Sequence, residues 1–270
     1  MAVTREKLAS CDPVWARLKA EAEAMAEREP ALAGFIQATV LSHDRLEHAL
    51  TYHMARKLGG EDLSPLLVRE TFEEAIAADP DIGIALRADL AAVLDRDPAC
   101  HSFVEAFLYY KGFHALESYR IAHWLWTRGR SAMALFFQSR ISQLFAVDIH
   151  PAARMGRGIM IDHATGVVIG ETAVVDDDVS IMQDVTLGGT GKESGDRHPK
   201  VRRGVLISLG AKILGNIEIG ENARIGAGSV VLTSVPAGCT AVGVPAKLVN
   251  CKGSERPSHE MDHFIDDKSG

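Results

Sequence analysis

The feature that most restricts how this chain can fold is an aliphatic residue that returns every six positions. It appears at Ile149, Met155, Ile161, Val167, Ala173, Val179 and Val185, stops for the ten residues Gly191 to Lys200, and resumes in a new register at Val201, Ile207, Ile213, Ile219, Ile225 and Val231. A period of six is neither the 3.6 of a helix nor the alternation of a single strand. A fixed short period marks a repeat architecture, and a parallel β-helix gives this one. Each hexad is then one short strand and a turn, with its aliphatic side chain directed into a narrow core. One coil cannot bury its own face, so stability comes from stacking on the next.

The rest of the chain reads differently. Residues 1 to 147 carry helical signals. Asp12-Pro13 caps a run to Arg28; Leu46, Leu50, Met54 and Leu58 recur every four residues and stop at Gly59-Gly60; Ser64-Pro65 opens a helix that Asp79-Pro80 ends. Asp97-Pro98 is read as opening a further helix closed by Gly112, followed by Phe113 to Arg128 and Ser131 to Val147. The expected organisation is α+β: an all-α helical domain over 1–147, a β-helix over 148–249 with a loop at 191–200, and a polar, mobile tail over 250–270. A hydrophobic content of 47% in 270 residues is ample for two cores. A net charge of −7 with mixed signs argues against a nucleic-acid surface. No apolar run is long enough to span a membrane, and Met1 to Ser10 lacks the apolar core of a secretory signal, so a cytoplasmic protein is expected. Cys11, Cys100, Cys239 and Cys251 form no C-x-x-C pair and are expected to be free thiols, with no zinc site.

Two places on the ladder gather unusual polar residues. Asp148 opens it, and Asp162-His163 lies fifteen positions on from Asp148 to His163, close to one coil of three hexads. Stacked strands are about 4.8 Å apart, so a carboxylate could hold one imidazole nitrogen and leave the other free as a base. The alternative is that Asp148 caps the ladder and His163 turns a corner. The second place is the interruption, Gly191-Lys192-Glu193-Ser194-Gly195-Asp196-Arg197-His198-Pro199-Lys200. Loops that leave a solenoid carry function, and Arg197 offers a fork for a carboxylate; a solvated charged turn is the alternative. Gly188, Gly189 and Thr190 just before it would let a ligand approach backbone amides.

Taken together, D-I-H-P-A, G-I-M-I-D-H-A-T-G, T-L-G-G-T-G-K, G-D-R-H-P-K and I-G-A-G-S after a helical region resemble the bacterial serine O-acetyltransferases, strongly from Asp97 to Lys247 and more loosely before. The resemblance implies a left-handed parallel β-helix that forms a homotrimer with active sites between neighbours, two trimers pairing through the helical domain. It implies acetyl transfer from acetyl-CoA to the hydroxyl of L-serine, inhibition by L-cysteine, and no metal. His163 matches the general base and Asp148 the acid that orients it. Asp97 and Asp162 match acids holding the substrate ammonium, although Asp97 also reads as a plain cap. Arg197 and His198 match groups near the substrate carboxylate and the reacting carbon. Gly188, Gly189, Thr190, Gly210, Gly228 and Lys247 would line the pantetheine arm. Two departures stand out: Ile207-Ser208-Leu209-Gly210 replaces the usual I-G-A-G, and the family's terminal isoleucine, which enters the partner enzyme O-acetylserine sulfhydrylase, is replaced by Lys268-Ser269-Gly270. The rivals are an acetyltransferase for a sugar or xenobiotic hydroxyl, a γ-class carbonic anhydrase, disfavoured because the ladder has no H-x-x-x-x-H pair, and a non-catalytic scaffold.

Overall fold

The computed structural model describes residues 12–191, 194–251 and 253–264. Helices come first: α1 Pro13–Arg28, α2 Leu46–Leu58, α3 Pro65–Ala78, α4 Asp81–Arg96, α5 Phe103–Tyr109, α6 Lys111–Thr127 and α7 Ser131–Phe145, with short 3₁₀, α and π turns over Pro30–Leu41. The expected caps form. Asp12 accepts from the Trp15 N–H and Ser64 from the Leu67 N–H. One boundary differs. Asp97 ends α4 instead of opening α5, its Oδ1 accepting from the Ala99 N–H at 2.8 Å. The next helix starts at Ser102, whose hydroxyl accepts from the Glu105 N–H. Gly112 lies in the first turn of α6, not at the end of α5.

Strands begin at Val147. Fourteen of them fall into three parallel sheets: β1 (Val147–Ile149), β4 (Val167–Ile169), β7 (Thr186–Gly188), β10 (Lys212–Leu214) and β13 (Val230–Val231); β2 (Arg154–Met155), β5 (Val174–Val175), β8 (Lys200–Val201) and β11 (Glu218–Ile219); and β3 (Met160–Ile161), β6 (Ser180–Ile181), β9 (Leu206–Ile207), β12 (Arg224–Ile225) and β14 (Thr240–Gly243), while a fifteenth, β15 (Ala246–Asn250), closes antiparallel on β14. This is a parallel β-solenoid, three strands to a coil, as the hexad required. Every rung of the ladder is buried except the half-buried Met155.

The register, however, breaks where the ladder looked continuous. Ile149 pairs with Ile169, twenty residues on; Ile169 with Leu187 after eighteen; Leu187 with Ile213 after twenty-six; Ile213 with Val231 after eighteen. The first coil thus holds two extra residues and the third holds eight. Each hexad has two inward positions, such as Val167 and Ile169, both buried. The six-step ladder slides from one to the other without a miss, so the sequence hides the insertion at His163.

α6 is buried on nearly every side and joins the helices to the solenoid. Within it Arg120 donates to Asp89 of α4 and to Gly156 O at 2.8 Å, while Asp89 Oδ1 accepts from the Ile159 N–H at 2.8 Å. Glu117 is wholly buried beside Arg120, its Oε1 3.6 Å from Nε. Burial first, then the Asp89 charge, push its carboxyl well above the usual range.

His53 and His114 form a buried pair with ring centroids 5.1 Å apart, each Nε2 donating to a carbonyl, Leu108 O and Phe107 O. Burial lowers His53 to about 4 and His114 to about 3. An unfolded histidine takes its proton near 6.5, so below that pH the unfolded chain binds protons that these two refuse. Their contribution is therefore complete above pH 6.5 and lost as pH falls toward 4. Glu117 acts in the opposite sense, binding a proton in the folded chain above the ordinary carboxyl range. The lowered His43, His150, His198 and His263 add to the histidine loss and the raised Asp162 to the opposing gain, and stability is expected to drop by about 2 kcal/mol from pH 6.5 to 5. That is a fall of about 4–8 °C in thermal midpoint, read by calorimetry in matched buffers.

Two expectations are corrected near the C-terminus. Cys239 and Cys251 are joined as a disulfide, not free thiols, because the β14–β15 hairpin brings its two flanks face to face. Cys100 is free and buried; Cys11 lies outside the described residues. The stretch 253–264, expected to be mobile, is packed. Pro257 and Ser258 are buried, Ser180 Oγ donates to Ser258 O at 2.8 Å, and Ser208 Oγ meets His263 Nδ1 at 2.9 Å. The terminal Lys268-Ser269-Gly270, the place where the resemblance would put a sulfhydrylase contact, lies outside the described residues. Among the described residues no helix is long and apolar enough to cross a membrane.

Candidate active site

The two extra residues of the first coil make a tight bulge between β3 (Met160–Ile161) and β4 (Val167–Ile169). His163 and Ala164 have φ of 54° and 62°, and the Ala164 and Thr165 N–H groups donate back two residues to Asp162 O and His163 O at 2.5 and 2.7 Å. These are γ-turns of the rarer, strained hand. The bulge lifts the His163 ring out of the coil: its side chain is 70% exposed, against 17% for Asp162, and Nε2 stands 3.8 Å from Asp162 Oδ2. Burial raises the Asp162 carboxyl; the His163 ring opposes this and the charge of Asp97 adds to it. Asp97, at the end of α4, is thus within electrostatic reach of Asp162, and a cation near both acids would relieve their repulsion.

Asp148 does not take the place expected of it. Among the described residues no hydrogen bond or ion pair joins it to His163. Its strand neighbour is Val168, because the first coil takes twenty residues and the fifteen positions to His163 fall short of it, and its Oδ1 accepts from Gln138 Nε2 of α7 at 2.7 Å.

Arg197 and His198 lie on a different edge of the prism, before β8 (Lys200–Val201), where the chain turns from the first sheet to the second. Thr172 organises them, its Oγ1 accepting from the Arg197 and His198 N–H groups at 3.0 and 3.1 Å. The Thr172 N–H donates to His198 Nδ1 at 3.1 Å. Nδ1 is therefore the bare nitrogen of the neutral ring and Nε2 carries the proton. Burial, then Arg197, lower this histidine, and its Nε2–H is a hydrogen-bond donor in this tautomer. Arg197 donates to Glu171 Oε2 at 2.7 Å. His150 belongs to the same edge, interacting electrostatically with Glu171 and Arg197. Thr172, Glu171 and His150 were not picked out from sequence; the only signal was polar residues stacking one coil from G-D-R-H-P.

The candidates for the coenzyme divide likewise. Gly210 and Gly228 stack on the His163 edge, beside Asp184; Gly188, Gly189 and Thr190 run into the Arg197 edge; Lys247 is exposed on β15. A side of the prism holds about four extended residues, roughly 13 Å. One chain therefore keeps His163 and Arg197 too far apart for one small amino acid to touch both.

The bulge depends on one close approach. A Cβ at Gly112 would sit 1.9 Å from Ile161 O, a backbone atom that cannot step aside. Gly112→Ala is expected to push α6 off the bulge, costing about 1–3 kcal/mol of stability and at least about tenfold in kcat. Melting curves and steady-state rates check this; unchanged values would mean that α6 does not set the bulge.

A helical region feeding a hexad solenoid, with a lifted histidine beside paired acids, defines a hexapeptide-repeat acyltransferase. The description "Serine acetyltransferase, N-terminal" fits residues 14–118. The serine acetyltransferase of Salmonella typhimurium is 58% identical over 252 residues, 93% of this chain and 92% of that one. The Brucella abortus enzyme solved in complex with coenzyme A superposes with a TM-score of 0.88 at 52% identity, covering 90% of this chain and 97% of that one. A serine acetyltransferase solved in complex with cysteine gives 0.92 at 52% identity, covering 93% and 98%. The chain belongs to the serine acetyltransferase family.

Proposed function

We propose that this chain moves the acetyl group of acetyl-CoA to the hydroxyl of L-serine, giving O-acetyl-L-serine for cysteine biosynthesis in the cytoplasm. The observation that carries the reading is His163, held out of the coil beside Asp162 and Asp97 on a chain of this family. Asp97 and Asp162 take the serine ammonium and Arg197 its carboxylate. His163 removes the hydroxyl proton as the oxygen attacks the thioester carbon. The protonated Nε2 of His198 faces the charge that develops on the carbonyl oxygen. His163, then imidazolium, protonates the departing thiolate. The geometry favours Asp162 over Asp148 as the acid that steadies the imidazolium. The described residues hold no cluster of three or more metal-ligating side chains, and these steps use only the chain's own groups.

Because the two edges of one chain are too far apart, the site is completed by the neighbouring copy, His163 from one and Arg197 from the next. A homotrimer supplies this, and pairing of helical domains makes a dimer of trimers. Gly188, Gly189, Thr190, Gly210, Gly228 and Lys247 line the pantetheine arm in the cleft between copies. L-Cysteine, which a relative binds, occupies the serine subsite and inhibits.

The test is release of coenzyme A thiol from acetyl-CoA with L-serine, with sugar acceptors alongside. Release with serine, suppressed by cysteine, is expected. Release only with a sugar would overturn the substrate assignment.

A further inference from the structure

The one antiparallel strand pair among the described residues is β14–β15. Val242 faces Lys247 and Gly243 faces Ala246 across it, and the Cys239–Cys251 disulfide closes its open end. Cys239 is buried and Cys251 is exposed. β15 is the edge of its sheet, paired to β14 alone, and most of its residues are exposed. Beyond β15 the chain is held next by the Gly253 N–H, which donates to Gly238 O at 3.4 Å, and then at the buried Pro257 and Ser258. The disulfide is thus a covalent clasp on a sheet-edge strand, the kind of element that opens first.

We propose that the Cys239–Cys251 bond is a thiol-exchange site whose opening loosens β15 and weakens the hold on acetyl-CoA. The second half rests on the reading above that Lys247 contacts the pantetheine arm. A small thiolate attacks the exposed Cys251 sulfur. A new sulfur–sulfur bond forms there, the protein bond breaks, and Cys239 leaves as a thiolate that takes a proton from water. A second small thiol then displaces Cys251 as a thiol and departs as the symmetrical disulfide. Two small thiols are oxidised and one protein disulfide is reduced. The transfer reaction itself releases such a thiol, coenzyme A.

The test uses the full chain purified without reductant. Denaturing maleimide labelling and mass spectrometry are expected to leave Cys239 and Cys251 unlabelled until a dithiol or millimolar coenzyme A is added. Amide exchange over residues 246–251 is expected to quicken at least about tenfold on reduction. KM for acetyl-CoA is expected to rise about three- to tenfold with KM for serine unchanged, and Cys251→Ser is expected to match the reduced enzyme and ignore reductant. Labelling of both cysteines before reduction, or identical exchange in the two states, overturns the site. Faster exchange with an unchanged KM for acetyl-CoA overturns the link to the coenzyme. An absence of acetyl transfer in either state would fault the functional reading instead, while labelling and exchange still decide the thiol chemistry.

Discussion

His163→Asn is expected to lower kcat for acetyl transfer at least about a hundredfold, and up to about 10⁴-fold, with fold and assembly intact. A positioned general base is worth about 10²–10⁴, or about 3–5.5 kcal/mol of barrier. The side chain is 70% exposed, so removing the imidazole leaves no cavity, and the asparagine amide tolerates the positive φ at this position. Affinity for serine is expected to change little, because the ammonium and carboxylate contacts are made by other residues. Steady-state kinetics with matched melting curves check this. Turnover within threefold of the unmodified protein would reject His163 as the base. Asp162→Asn beside Asp148→Asn separates the two acids: the first is expected to reproduce much of the loss, the second little of it.

The largest expected effect on stability lies at Arg120. It is nearly buried, bonded to the wholly buried Asp89 and to the backbone of the first coil. Arg120→Met removes the cation and leaves Asp89 a buried charge without its counter-ion, which costs about 3–5 kcal/mol. At about 2–4 °C per kcal/mol, the melting midpoint is expected to fall by about 6–20 °C. Glu117→Gln is the contrast. Burial and the Asp89 charge already disfavour the charge on Glu117, so a neutral side chain of the same shape is expected to change stability by less than about 1 kcal/mol at neutral pH. If both variants melted together, the charge assignment within this cluster would be wrong.

The solenoid was legible because an inward position tolerates little besides aliphatic side chains, and thirteen successive rungs obey that rule. The bulge at His163 was not, since Val167 and Ile169 both point inward and a ladder counted in sixes passes over two inserted residues. For the same reason the fifteen-residue spacing from Asp148 to His163 suggested a contact that a twenty-residue coil does not make. Asp97 reads from sequence as both a helix start and a site residue, and the structure makes it the end of α4 instead of a start. The true start, Ser102 with Glu105 three residues on, was present as a capping signal and overlooked. The disulfide could not be read at all: it depends on a hairpin whose final strand runs against the direction of every other, and no hexad announces that reversal.

The most direct measurement is subunit complementation. His163→Asn and Arg197→Ala are each expected to be nearly inactive. Unfolded and reassembled together in equal amounts, they form interfaces of which about one in four brings an intact His163 edge against an intact Arg197 edge, if each site is heterologous between neighbours. Recovery of about a quarter of the unmodified activity with acetyl-CoA and L-serine is the predicted result. Activity no greater than the sum of the two variants alone, in a mixture that has demonstrably exchanged subunits, would contradict it.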